Sequence, residues 1–237
     1  MTVQSISMDC LHTVRWIASS LALISSTALL QAGCAGPRST DQSIELGNHY
    51  LEFGEWQKAA DVLQPVVQNS PGLWKGELGY GIAMSHLGDL VTARRCLETA
   101  NDHAPGNLEV VGALAEVLFL QGDSSQLYQI LRGAGAALGR YEPYVLLGAY
   151  AIKLKDNDSA LLAYQAAIEV DSGVVRPRTT EPYYQLAVLQ LSLGNTTEGA
   201  RRLRQAYGIS ATDPRVIQLL ASQGVVLDGR TALPPGI

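Results

Sequence analysis

Charge and aromatic bulk are both scarce in this chain. Of its 237 residues, 16% are charged and 6% aromatic, and the 17 Lys and Arg are outnumbered by 22 Asp and Glu for a formal net charge of -5. A chain of this balance lacks the dense basic field that neutralises phosphates, so nucleic acid is excluded as a partner. Cysteine is rare as well, at positions 10, 34 and 96, with no pair spaced to hold a metal. No long apolar run spans a bilayer either. The stretch Trp16 to Leu30 is fifteen residues, broken by serines and a threonine, where a membrane helix needs roughly 20.

The patterns of catalysis are missing too. There is no Gly-x-Ser-x-Gly elbow, no His-Glu-x-x-His pair and no phosphate loop. His49, His86 and His103 fall on different predicted helices without neighbouring ligands, which makes each a surface or packing residue. The glycine-rich run Gly76 to Gly81 lies inside a helical pattern and follows no strand, so it is no phosphate cradle. No enzyme activity, cofactor or metal is expected.

What the chain does have is a period. Gly54-Glu55, Gly88-Asp89, Gly122-Asp123, Lys155-Asp156 and Gly194-Asn195 are spaced 34, 34, 33 and 39 apart. Gly47, Gly81, Ala115, Gly148 and Ala187, each seven residues upstream, keep the same intervals. A fixed period between about 20 and 50 residues means a stacked array, in which each unit buries its apolar face against its neighbours. Apolar residues recur at three and four along each half-unit, as helices require. Glycine supplies the turn between the two helices, and the acidic residue or Asn beside it is placed to cap the second.

These marks resemble the tetratricopeptide repeat: a Leu-Gly or equivalent pair in the first helix, a Gly-Asp turn, Ala five residues after the turn glycine, Ala seven later, and a closing Pro. The second unit carries Tyr80-Gly81, Gly88-Asp89, Ala93, Ala100 and Pro105; the fourth carries Leu147-Gly148, Asp156, Ala160 and Ala167. The resemblance implies an all-α, right-handed superhelical solenoid. Five units are expected at about 40–73, 74–107, 108–140, 141–174 and 180–213, followed by a capping helix at 214–223 and a loose, Gly- and Pro-rich tail at 224–237. Small residues at Gly47, Gly81, Ala115, Gly148 and Ala187 are expected to face Ala59, Ala93, Leu127, Ala160 and Gly199, so that helices cross closely. Leu127 breaks that rule. With Gly133, Gly135 and Gly139 behind it, the third unit's second helix is expected to be displaced or frayed.

The first 33 residues read as an export signal, and residues 34–39 as a linker. Arg15, the apolar stretch and Ala32-Gly33-Cys34 resemble a bacterial lipoprotein signal, although Gln31 stands where the motif's Leu belongs. The resemblance implies acylation of Cys34, with palmitate among its chains, and Ala35 after it implies the outer membrane, facing the periplasm. Ordinary cleavage near the same site is the alternative, and Met8 is a second candidate start. That leaves Cys96 alone in the mature fold, expected as a small core residue.

The groove that the resemblance implies is lined by first helices and includes Asn48, Leu51, Ile82, His86, Phe119, Ile152, Lys153, Val188 and Leu191, with roughly half of such positions expected to pack between units. Its apolar members favour an apolar or amphipathic segment of a protein partner. Arg176 and Arg178, in the inserted loop between the fourth and fifth units, are candidates for contact with an acidic partner or lipid headgroups. In size and layout the chain is similar to the Tad/Flp pilus assembly lipoproteins. Its expected role is a scaffold in assembly of such a pilus or a related secretion system, with adaptors of cell-wall synthesis or outer-membrane protein insertion as alternatives.

Overall fold

One turn, used again and again, builds the molecule. At Gly54, Gly88, Gly122, Lys155 and Gly194 the backbone N–H donates to the carbonyl three residues back at 2.9 to 3.1 Å, and the following N–H reaches the carbonyl five back. Positive φ is needed at that first position, +88° at Gly88 for example. Lys155, at +61°, is the one non-glycine with positive φ among the described residues.

The computed structural model describes residues 38–172 and 179–236; the export signal, Cys34, Arg176 and Arg178 lie outside the described residues. Eleven helices occur among them, and no strand. They pair as α1 (Thr40–Glu52) with α2 (Trp56–Asn69), α3 (Trp74–His86) with α4 (Leu90–His103), α5 (Leu108–Leu120) with α6 (Ser124–Leu138), α7 (Glu142–Lys153) with α8 (Asn157–Ser172), and α9 (Glu181–Ser192) with α10 (Thr196–Ile209). Helix α11 (Pro214–Ser222) follows. Each second helix also packs on the next unit's first helix, which makes the pairs a stack.

The turn acids cap as their chemistry allows. Asp89, Asp123 and Asp156 accept from the N–H groups of Thr92, Gln126 and Ser159 at 3.0, 3.1 and 3.0 Å. Glu55 makes no side-chain cap, and its longer side chain pairs with Lys58 at 2.8 Å instead. Asn195 donates to Gln190 and does not cap.

Within a unit the small residue of the first helix is a notch. Gly47, Gly81 and Gly148 receive Leu63, Leu97 and Tyr164, side chains sixteen residues downstream and essentially unexposed. At Gly81 the backbone of Ala93 is close as well, its carbonyl 3.3 Å from where a Cβ would stand, so the alanine lets the backbones approach while the larger residue fills the notch. In the third unit Leu127 takes the alanine's place and is fully buried, and α5 and α6 are the least closely packed pair of the five. The helix itself is not frayed. Helix α6 runs fifteen residues and ends on Gly139, whose left-handed φ of +58° lets its N–H bond Gly135. Gly133 and Gly135 are absorbed within it, the latter against the Tyr144 ring.

The segment beyond α11 departs from expectation. Gly224 repeats the inter-helix turn, its N–H on Ala221 and that of Val225 on Leu220. No second helix follows among the described residues. The chain instead runs back along α10, where Arg204 donates to the carbonyls of Arg230 and Thr231 at 2.8 and 2.9 Å, and Leu233 N–H donates to the Arg204 carbonyl at 3.0 Å. Composition suggested a loose tail; a row of fixed polar contacts holds it.

Candidate functional site

The first helices lie side by side, and a hollow on their face lies at α1 and α3. It holds 240 Å³ between Ile44, Glu45, Asn48 and Leu51 of α1, Trp74, Lys75, Leu78, Gly79 and Ile82 of α3, and Glu109 of α5. Gly79 sits at its floor, where a Cβ would stand 2.9 Å from Leu63 Cδ1 of α2 and in ordinary contact with Asn48 and Leu51 of α1 at 3.4 and 3.5 Å. Leu51, Trp74 and Ile82 form partly exposed apolar walls. Exposed Glu45 and Glu109 stand at the rim with no ion pair among the described residues, while Lys75 lies over the Trp74 ring at 5.7 Å.

Asn48, Leu51 and Ile82 thus line one hollow together. His86 borders a smaller hollow with Ile82, Ser85 and Glu116, but its ring stacks on Trp56, 3.7 Å between centroids and 9° from parallel. Further along, Phe119 and Tyr150 meet at 5.1 Å and Lys153 Nζ covers both rings, 5.4 and 4.8 Å from their centroids. Burial, with the Glu116 charge adding to it, pushes the Tyr150 phenol up to about 12. Phe119 and Lys153 are therefore already engaged with each other. Ile152 and Val188 are open, 41% and 39% exposed. Leu191 is half-buried, its side chain filling the space over Gly199 and packing against the fifth unit's core.

Sequence reasoning missed Trp74, Lys75 and Glu109, because they open helices rather than sit at the repeat's marked positions. It also missed what locks neighbouring units. Arg94 on α4 donates to Glu98 at 2.8 Å within its helix, to Gln121 at 3.1 Å and Asp123 at 3.2 Å at the next unit's turn, and to Gln126 beyond it. Tyr128, 34 residues on, makes the corresponding reach to Asp156 at 3.2 Å. At the far end Arg215 of α11 binds Asp213 and Glu181, and Thr180 donates to Asp213 at 2.8 Å, which joins α9 to α11. Cys96 is fully buried, and burial with the neighbouring Glu77 pushes its thiol up to about 12, so it is an unreactive packing group at neutral pH.

No family model matches the chain, and no curated protein does. Among solved structures, MamA of Desulfovibrio magneticus RS-1, residues 41 to the end, is similar at a TM-score of 0.53 and 15% identity over 74% of this chain and 97% of that one. A second MamA crystal structure gives 0.53 at 17% identity, covering 80% and 97%. The Cut9–Hcn1 hetero-tetramer of the APC/C gives 0.52 at 17% identity, covering 86% of this chain and 39% of that one. At such identities the likeness is one of fold. The period, the repeated turn and the notch-and-knob packing agree with it: this chain has the all-α fold of a tetratricopeptide-repeat solenoid.

Proposed function

We propose that this chain is a protein-interaction scaffold that holds an amphipathic helix or strand of a partner against its first-helix face. The observation that carries this reading is the hollow at α1 and α3, with apolar walls at Leu51, Trp74 and Ile82 and the exposed acids Glu45 and Glu109 at its rim. Such a surface gains by burying an apolar side chain, while Glu45 and Glu109 favour a ligand whose flanks are basic. The signal-like N-terminus supports a scaffold anchored by lipid at Cys34 to the outer membrane, facing the periplasm. The similarity in size and layout to Tad/Flp pilus assembly lipoproteins supports a role in assembling such a pilus or a related secretion system.

Site-specific photocrosslinking in cells tests the docking face. A photoreactive residue at Ile82 is expected to capture a secretin or pilus component, and one at the exposed outer-face position Gln68 is not. Equal labelling at both positions defeats the groove reading. Cys34→Ser is expected to release the protein from membranes; retention in the membrane fraction refutes lipidation and leaves the groove untouched.

A further inference from the structure

We propose that the hollow at α1 and α3 is a recognition pocket for one arginine side chain of a partner protein, with the guanidinium held by Glu45 and Glu109. The pocket rests on the docking reading above and names the group that this face selects. Its lining carries two kinds of surface. Ile44, Leu51, Leu78 and Ile82 are apolar, while Glu45, Glu109 and Asn48 offer acceptor oxygens. An apolar stem that ends in a cation matches both, whereas a leucine leaves the carboxylates unanswered and an acidic side chain is repelled.

Charge decides the sign of the occupant. Glu45 comes from α1 and Glu109 from α5, the helices that flank α3, so the carboxylates reach the hollow from separate elements. Both are exposed, and neither has an ion pair among the described residues. Lys75 is the one cation in the lining among the described residues, and it lies over the Trp74 ring, 5.7 Å from the centroid, and on neither carboxylate. The lining therefore keeps a net negative charge. The place of Lys75 also shows what the Trp74 face accepts, a cation over a π-surface. Arginine suits the pocket better than lysine, because its planar fork stacks on an aromatic face and presents donors in several directions, as two carboxylates from separate helices require. Size agrees. At about 30 Å³ for each water-sized group, 240 Å³ takes about eight heavy atoms, against seven in an arginine side chain.

The test follows Trp74 in the full chain by fluorine NMR, with fluorotryptophan in place of tryptophan and the signal assigned by Trp74→Phe. The probes are the N-acetyl methylamides of arginine, citrulline and leucine, titrated at matched ionic strength. Citrulline keeps the shape of arginine and removes its charge. The arginine probe is expected to move the Trp74 signal saturably and to bind at least about tenfold more tightly than the citrulline probe, the difference that charge-assisted bonds supply. The Trp56 signal, from a ring stacked on His86, is expected to stay in place. Glu45→Gln and Glu109→Gln together are expected to erase the preference for arginine over citrulline; both side chains are exposed, so the fold is retained. Equal binding of arginine and citrulline overturns the proposal, as does a preference that survives both substitutions. Tightest binding of the leucine probe overturns it too and leaves the hollow as an apolar docking site. If no probe binds, the arginine pocket is refuted, and the crosslink at Ile82 judges the docking face on its own.

Discussion

The Tyr164 ring of α8 occupies the notch that Gly148 leaves in α7. A Cβ on residue 148 would stand 2.5 Å from Tyr164 Cε1 and 2.6 Å from Cζ, closer than real carbons approach. Tyr164 is 1% exposed and packed within a buried cluster with Ile168, Tyr183 and Leu186. Gly148→Ala is therefore expected to cost about 1–3 kcal/mol through overpacking. Gly133, inside α6 and exposed with nothing within 4 Å of its would-be Cβ, is the contrast, and Gly133→Ala is expected to gain about 0.5–1 kcal/mol. Urea unfolding of the two variants checks both signs; a stabilising Gly148→Ala refutes the notch.

Lys155 adopts a φ of +61° at a turn position that glycine fills in the other four units. A side chain in the left-handed region costs roughly 1–2 kcal/mol, of which glycine's greater freedom in the unfolded chain takes back about half. Lys155→Gly is expected to stabilise the chain by up to about 1 kcal/mol. Thermal unfolding is the measurement, and a fall in Tm contradicts it.

Asp213 predicts a response to acid. Hydrogen bonds from the Arg215 guanidinium, then from Thr180 and the Arg215 backbone, lower its pKa to about 2. A carboxylate whose folded value lies below its unfolded one, about 3.9, contributes its stabilisation in full above the unfolded value and loses it as pH falls through about 2. The wild type is expected to lose stability between roughly pH 4 and 2 more steeply than Asp213→Asn, which is expected to be the less stable of the two at neutral pH by about 1 kcal/mol. Parallel curves for the two proteins in that window defeat this assignment.

The hairpins were legible because glycine and Asp-type caps at a turn leave a one-residue signature, repeated at fixed intervals. The notch was half legible. Its glycines stood out, but their partners Leu63, Leu97 and Tyr164 were missed, although with the buried Leu131 and Leu203 they keep the same 34, 34, 33 and 39 spacing. Large apolar residues are common in any helix, and their period was hidden among neighbours. On the first-helix face, positions such as Asn48, Leu51 and Ile82 could be named from the repeat, but the contact of Leu191 with Gly199 could not. Gly199 stands where three of the other units have alanine and opens a space that Leu191 fills. The tail's hold on α10 was invisible, because Arg204 looks like part of any solvated helix face, and the groups it binds are backbone carbonyls that no side-chain pattern announces.

Each hairpin closes on its own notch and packs chiefly on the units beside it. Damage at one notch is therefore felt first by the neighbouring units and reaches distant ones only through them.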